Sequence, residues 1–287
     1  MRLVSKILDQ GDKSDNRTGV HTLALFGESM TAPLANNTLP ALNVRRVAPR
    51  IAFEELMFML NGKTDTTELE AKNVNIWKGN TSREFLDDRG LEHLEEGDMG
   101  RMYGAQLRDF SGDSSREIIS FDQLIYMVNE IENNPESRRI IATHYNPAEA
   151  DQGALFPCHI MTQFNVRNDK LDCLFWMRSS DVGFGLPYNL MYYAMFTHMM
   201  AKLTGYEAGK LVYQAGDSHI YQDQIDSGMM EYMNDNLGGV FYLTTPKFII
   251  NKELDCIQDM LDLTWDDVEI QGYDPMSDYN NKPKMAV

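Results

Sequence analysis

The chain has 287 residues, 43% of them hydrophobic and 24% charged, with a formal net charge of −17. That length and balance describe a globular protein with room for a substantial core, and no apolar run reaches membrane-spanning length. So negative a surface repels nucleic acid and anionic membranes, so an anionic small ligand needs a local island of arginines.

In chain order, residues 14–26 read as a turn followed by a strand over 22–26. Residues 47–61 carry apolar side chains at helical spacing and stop at Gly62, which predicts a buried helix. Residues 66–71 form a short polar helix, and 76–112, rich in Gly, Asp and Arg, an excursion with short helices. An amphipathic helix over 120–133 ends before Pro135. Strand-like runs follow at 139–145, 159–167 and 170–177, the last two separated by Asn168-Asp169, a hairpin signal. A long apolar helix over 190–203 ends at Gly205, a strand covers 211–215, and 221–236 reads as one acidic helix. The mixed order predicts an α+β fold with a largely antiparallel sheet. No repeat or linker divides the chain, so one domain over 1–287 is expected. The N-terminus lacks a signal-peptide core. Three cysteines make an odd number without metal-ligand spacing, which fits a reducing cytoplasm and predicts neither a disulfide framework nor a metal site.

Two motifs carry the chemistry. Phe156-Pro157-Cys158-His159 sets a cysteine after a proline and beside a histidine, and Met177-Arg178-Ser179-Ser180-Asp181 follows. The thiolate is the reactive form of cysteine, and a neighbouring guanidinium lowers its pKa. Arg178 is the candidate cation, and its forked donors also suit a phosphate, as do those of Arg17, Arg138 and Arg139. A cysteine chosen blindly is more often inert and buried. The setting favours a nucleophile at Cys158, whereas Cys173 and Cys256 read as packing residues. Asn189 can pair its amide with the O4/N3–H edge of uracil. An aspartate there would better suit cytosine, which offers an N4 donor. By position alone Asn189 is equally placed to cap the helix that follows. His219 and Tyr221 lie two apart, so on a strand they face the same way and fit a sugar or phosphate. A lone histidine is more often a core residue. Glu55 stands beside Glu54 in the first long helix. An inward carboxylate there has a raised pKa and serves as a proton shuttle, and one of the pair is expected to face solvent. Together these residues suggest covalent chemistry on a small phosphorylated ligand. A cysteine hydrolase is a weaker reading, because side chains adjacent in sequence, as in Cys158-His159, point apart on a strand.

Further motifs extend the pattern nearly end to end. They include Asp15-Asn16-Arg17-Thr18-Gly19, Glu55-Leu56-Met57-Phe58-Met59-Leu60-Asn61-Gly62 and Ile76-Trp77-Lys78-Gly79-Asn80. Tyr103-Gly104-Ala105-Gln106, Ser137-Arg138-Arg139-Ile140-Ile141 and the ending Lys284-Met285-Ala286-Val287 complete them. With these the chain resembles thymidylate synthase of the folate-dependent, cysteine-nucleophile type. The resemblance implies a curved, mostly antiparallel sheet packed with helices, and a homodimer formed through that sheet. It implies that Cys158 adds to C6 of dUMP and that C5 receives the one-carbon unit of 5,10-methylenetetrahydrofolate, a co-substrate, without a metal. Glu55, through ordered water, would assist proton transfers, with Tyr103 and His159 nearby. Arg17, Arg178 and Ser179 would hold the phosphate, with Arg138 and Arg139 contributed by the partner subunit. Asn189 would read the uracil, and His219 and Tyr221 the deoxyribose. Ile76, Trp77, Asp181, Gly185 and Tyr188 would line the folate site, and the C-terminal tail with Ala286 would close over it. The implied setting is cytoplasmic, or the host cytoplasm for a phage-encoded chain, with nucleic acid and membranes not expected as partners.

Some positions depart from the family pattern. Met177 stands where glutamine is usual, Leu107 and Tyr145 where tryptophan is, Phe156 where a small residue or proline is, and Gly183-Phe184-Gly185 replaces Phe-Leu-Gly. The Met-Arg-Ser and Phe-Gly features are similar to phage deoxycytidylate hydroxymethylase, which adds water rather than hydride. That relative has aspartate at the position of Asn189, so cytosine is disfavoured here. The expected outcome is reductive methylation to dTMP. The alternative is a deoxyuridylate hydroxymethylase forming 5-hydroxymethyl-dUMP.

Overall fold

The computed structural model describes residues 2–16, 18–110, 120–236 and 245–276. Helix α1 (Arg2–Gln10), which the sequence reading lacked, buries Val4 and Ile7. It leads into β1 (Asp12–Ser14) and β2 (Thr22–Pro33). The polar run Gly27-Glu28-Ser29 hides the second half of β2 in the sequence. Pairing with a later strand, from Thr22↔Tyr221 to Pro33↔Lys210, overrides that local signal.

Helix α2 (Pro49–Leu60) opens on a proline, whose missing N–H has no partner to lose in a first turn. It stops before Gly62, which has φ 69°. The predicted excursion holds α3 (Thr67–Glu70), α4 (Arg83–Asp88) and α5 (Gly104–Arg108). Helix α6 (Gln123–Asn133) starts where Asp122 accepts from the Ile125 N–H.

Next come β3 (Ile141–Thr143), β4 (His159–Arg167), β5 (Lys170–Asp181), α7 (Gly185–Thr204) and β6 (Glu207–Tyr221). Asn168 and Asp169 turn β4 into β5 at φ 52° and 58°, the positive pair that a tight hairpin requires. The strand order is β1-β2-β6-β5-β4-β3, and every neighbouring pair is antiparallel except β5 with β6. The expected α+β architecture with a mostly antiparallel sheet is therefore the observed one. Helices α8 (Gln222–Asp226) and α9 (Met229–Asp235) follow, then a small hairpin sheet of β7 (Lys247–Ile250) and β8 (Val268–Gln271), with α10 (Ile257–Leu261) between its strands.

Three local expectations change. The acidic helix breaks at Gly228, whose φ of 78° no helix accommodates. Helix α7 begins at Gly185, so Asn189 lies inside it rather than capping it. Cys256 is exposed at the head of α10, where its Sγ donates to Asp259 at 3.3 Å, while Cys173 is buried as expected.

The core lies between α7 and the sheet. Phe175 of β5 stacks on Tyr193 of α7 at 4.1 Å, and Phe164 of β4 meets Phe196 edge-on at 5.3 Å. Among the described residues no helix is long and apolar enough to cross a membrane. Phe175 is fully buried. Its replacement by alanine is expected to cost about 3–5 kcal/mol through lost contacts and the cavity left behind. Urea unfolding at fixed protein concentration measures this, and a loss below about 1 kcal/mol would contradict the packing described.

Candidate active site

A cavity of about 830 Å³ opens between the ends of β5 and β6, α2, the loop after α3 and the start of α7. Pro157 fixes the chain just before β4, and Cys158 lines the cavity there. Its backbone is held from two sides. The Cys158 N–H donates to Tyr103 Oη at 2.9 Å, and its carbonyl accepts from the Arg178 N–H at 2.9 Å. The Arg178 side chain clamps the same segment. Nε donates to the Pro157 carbonyl at 2.9 Å and Nη2 to the Phe156 carbonyl at 2.7 Å. A planar guanidinium has five N–H donors in a fixed fork, so further donors remain for a ligand. Tyr103 takes φ 44°, an uncommon conformation for a bulky residue and one typical of functional sites.

Across the cavity, Glu55 of α2 accepts from Trp77 Nε1 at 2.9 Å. Burial pushes its carboxyl up to about 7, and the indole hydrogen bond opposes that shift. The expectation that one of the pair faces solvent is not met, because Glu55 is half-buried and even less is accessible of Glu54. Glu54 is 7% exposed and paired with Lys72 at 2.7 Å. His159 shares a 2.9 Å hydrogen bond with Tyr193 Oη among the rings of Tyr103, Tyr192 and Tyr193. Burial lowers its pKa to about 3, and nearby His144 adds to the effect, so the imidazole is neutral at pH 7.

Strand pairing assembles the far wall. Ser179 lies opposite Asp217, and Asp181 opposite His219. His219 Nδ1 and Asp217 Oδ1 are 2.6 Å apart, and the His219 ring meets Tyr221 edge-on at 5.0 Å, as their shared face requires. Asp181 accepts from the N–H groups of Gly183 and Phe184, and both its oxygens accept from Gln224 Nε2 at 3.0 Å. Burial raises its pKa against those bonds. Ile76, Trp77, Gly185, Tyr188 and Asn189 also line the cavity. The Asn189 amide donates to Met177 Sδ at 3.2 Å.

Most of the sequence candidates thus converge. Arg138 and Arg139 do not: both are exposed and neither lines this cavity. Arg17 and Ala286 fall outside the described residues, although Asp15, Asn16 and Thr18 reach the rim. Phe184 joins the wall with its ring beneath the Arg45 guanidinium, whereas Phe156 points outward, 41% exposed, under Arg89. Sequence reasoning missed Gln224, Tyr192, Tyr193 and His144. Tyr192 and Tyr193 sit in a run that reads as plain core, and nothing local marks His144 or Gln224. Asp217, two residues before His219, was not assigned a role either. Among the described residues no cluster of His, Cys, Asp and Glu suits a metal ion.

The cavity thus brings together a cysteine, an arginine clamped on the segment before it and a separate buried carboxyl. A family profile described as Thymidylate synthase matches residues 1–287. The chain is 38% identical over 282 residues to thymidylate synthase of Ascaris suum, covering 96% of this chain and 93% of that one. It is 39% identical over 278 residues to thymidylate synthase 1/2 of Encephalitozoon cuniculi, covering 95% and 92%. With thymidylate synthase of human herpesvirus 8 it shares 42% identity over 231 residues, covering 79% and 68%. The chain belongs to the thymidylate synthase family.

The Glu55–Trp77 pair carries a direct test. Trp77→Phe removes the bond that holds the carboxyl down, so the midpoint should rise above about 7. The raised folded pKa means that Glu55 contributes stability below its unfolded value of 4.5, and that this contribution is lost as pH rises through 7. Infrared titration of the carboxyl band, assigned by its absence in Glu55→Gln, reads the midpoint. A fall in Trp77→Phe would contradict the assigned hydrogen bond.

Proposed function

We propose that this chain is a one-carbon transferase that converts dUMP to dTMP with 5,10-methylenetetrahydrofolate, and that residues 1–287 form one catalytic domain. The observation that carries the reading is the clamp of Arg178 on the segment before Cys158, set across one cavity from the Glu55–Trp77 pair. The relatives compared are each named for thymidylate synthase, and none is named for a hydroxymethylase.

Cys158 attacks C6 of the uracil ring as thiolate, which forms the S–C6 bond and leaves the electron pair at C5. Arg178 positions the nucleophile and, with Ser179 and Arg17, takes the phosphate. Asn189 reads the pyrimidine edge, and His219 and Tyr221 hold the sugar. Glu55 suits the exchange of protons near neutral pH, because its midpoint lies at about 7. Neutral His159 and Tyr103 organise water and hydrogen bonds beside it. A flat heterocycle with a benzoyl tail suits the apolar, aromatic wall of Ile76, Trp77, Phe184 and Tyr188. The folate would be held there and by Asp181, and it supplies the one-carbon unit and the hydride. The Trp77 indole helps to exclude water from the C5 side.

A homodimer would complete the site. The sheet face opposite α7 carries half-buried Leu174, Trp176 and Val212, which a second copy would cover. Exposed Arg138 and Arg139 are then available to the partner's phosphate site. A cytoplasmic setting accords with cysteine-thiolate chemistry.

The test mixes the protein with dUMP and 5,10-methylenetetrahydrofolate, identifies the nucleotide by mass and follows dihydrofolate by absorbance. dTMP with equal dihydrofolate is expected, and 5-hydroxymethyl-dUMP without dihydrofolate would sink the reading. Cys158→Ser should lower kcat by about a thousandfold or more while dUMP still binds.

A further inference from the structure

We propose that Met177 is a positioning residue that sets the polarity of the Asn189 amide and so the preference for uracil over cytosine. The inference rests on the pyrimidine-reading role proposed for Asn189.

Met177 is 2% exposed, on the face of β5 that packs against α7. Asn189 lies across from it in α7 and lines the cavity. The amide nitrogen approaches the thioether at 3.2 Å. A thioether has lone pairs and no hydrogen to donate. It therefore favours the NH2 side of an amide and disfavours the oxygen. With one N–H given to sulfur, Asn189 keeps its oxygen and its second N–H for a ligand. That order matches the N3–H donor and O4 acceptor of uracil.

Cytosine presents the reverse, an acceptor at N3 and a donor at N4. A half-turn about the terminal torsion of asparagine exchanges oxygen and nitrogen, and that torsion is intrinsically broad and roughly two-fold. The amide can therefore serve either base unless something fixes it. Here the half-turn puts Oδ1 against Sδ, which loses the hydrogen bond and opposes two sets of lone pairs. A buried side chain without nucleotide contact thus weights the choice of base.

The experiment compares dissociation constants of dUMP and dCMP, by calorimetry on the full chain without folate, for the native protein, Met177→Leu and Met177→Gln. Leucine keeps the volume and removes the acceptor. The glutamine oxygen can accept the same N–H. The dCMP-to-dUMP ratio of dissociation constants should fall about five- to tenfold in Met177→Leu, the scale of one modest hydrogen bond. It should return to within about threefold of native in Met177→Gln. An unchanged ratio in a folded Met177→Leu overturns the proposal, as does equal weakening of both nucleotides, which marks a packing role. Native protein that binds dUMP and dCMP alike also overturns it, with the wider functional reading intact. Native protein that binds neither removes both. Should Met177→Leu not fold, the 15N-labelled native protein gives the second reading. One Asn189 side-chain proton is expected to exchange more slowly than the other before nucleotide is added, and two equally fast protons overturn the assignment.

Discussion

The parallel pairing of β5 with β6 is the constraint from which the site follows. Parallel neighbours cannot be joined by a tight hairpin, so the chain must cross over through a dozen or more residues, usually a helix. Here that crossover is α7, which starts just beyond the end of β5 at Asp181. Its first turns therefore bring Tyr188 and Asn189 over the same strand ends that carry Ser179, Asp181, Asp217 and His219. An all-antiparallel version of this sheet would not need the helix and would scatter these groups. Against the other strands, β4 beside β5 brings Cys158 to Arg178.

Within that frame, burial does most of the electrostatic tuning. The chain is strongly acidic, yet the decisive shifts arise from lost hydration rather than from charge partners. Glu55 moves up to about 7 and His159 down to about 3, each with desolvation as the leading cause. At neutral pH the carboxyl is therefore poised to exchange a proton, while the imidazole stays uncharged and keeps its bond to Tyr193. Two titratable groups near one cysteine are thus shifted in opposite directions without an ion pair between them.

Much of this was legible in the chain itself. Alternation and turn chemistry located the β4–β5 hairpin, because Asn168-Asp169 has one physical meaning between two apolar runs. Composition around Cys158 and Arg178 marked the site, because those residue types are costly to cluster without chemical use. Length was the weak point. The second half of β2 and the ends of β6 owe their strand form to partners distant in sequence, which a local pattern does not reveal. The same cause hid Gln224, which matters only because the fold brings it onto Asp181. One of Glu54 and Glu55 looked bound for solvent, whereas Lys72, from the next segment, provides a counter-charge for the buried Glu54.

The clamp made by Arg178 has a mechanical consequence. One rigid plane holds the two carbonyls ahead of Cys158 while keeping donors to spare for an anion. A lysine would offer a point charge there, without the fork that reaches both carbonyls at once. An anion seated on the outer donors would narrow the swing of the guanidinium and, through it, of the chain leading to Cys158. Part of the entropy of aligning sulfur for attack would then be lost on ligand docking rather than at the barrier, so the reactant's own charge would help to preorganise the group that reacts with it.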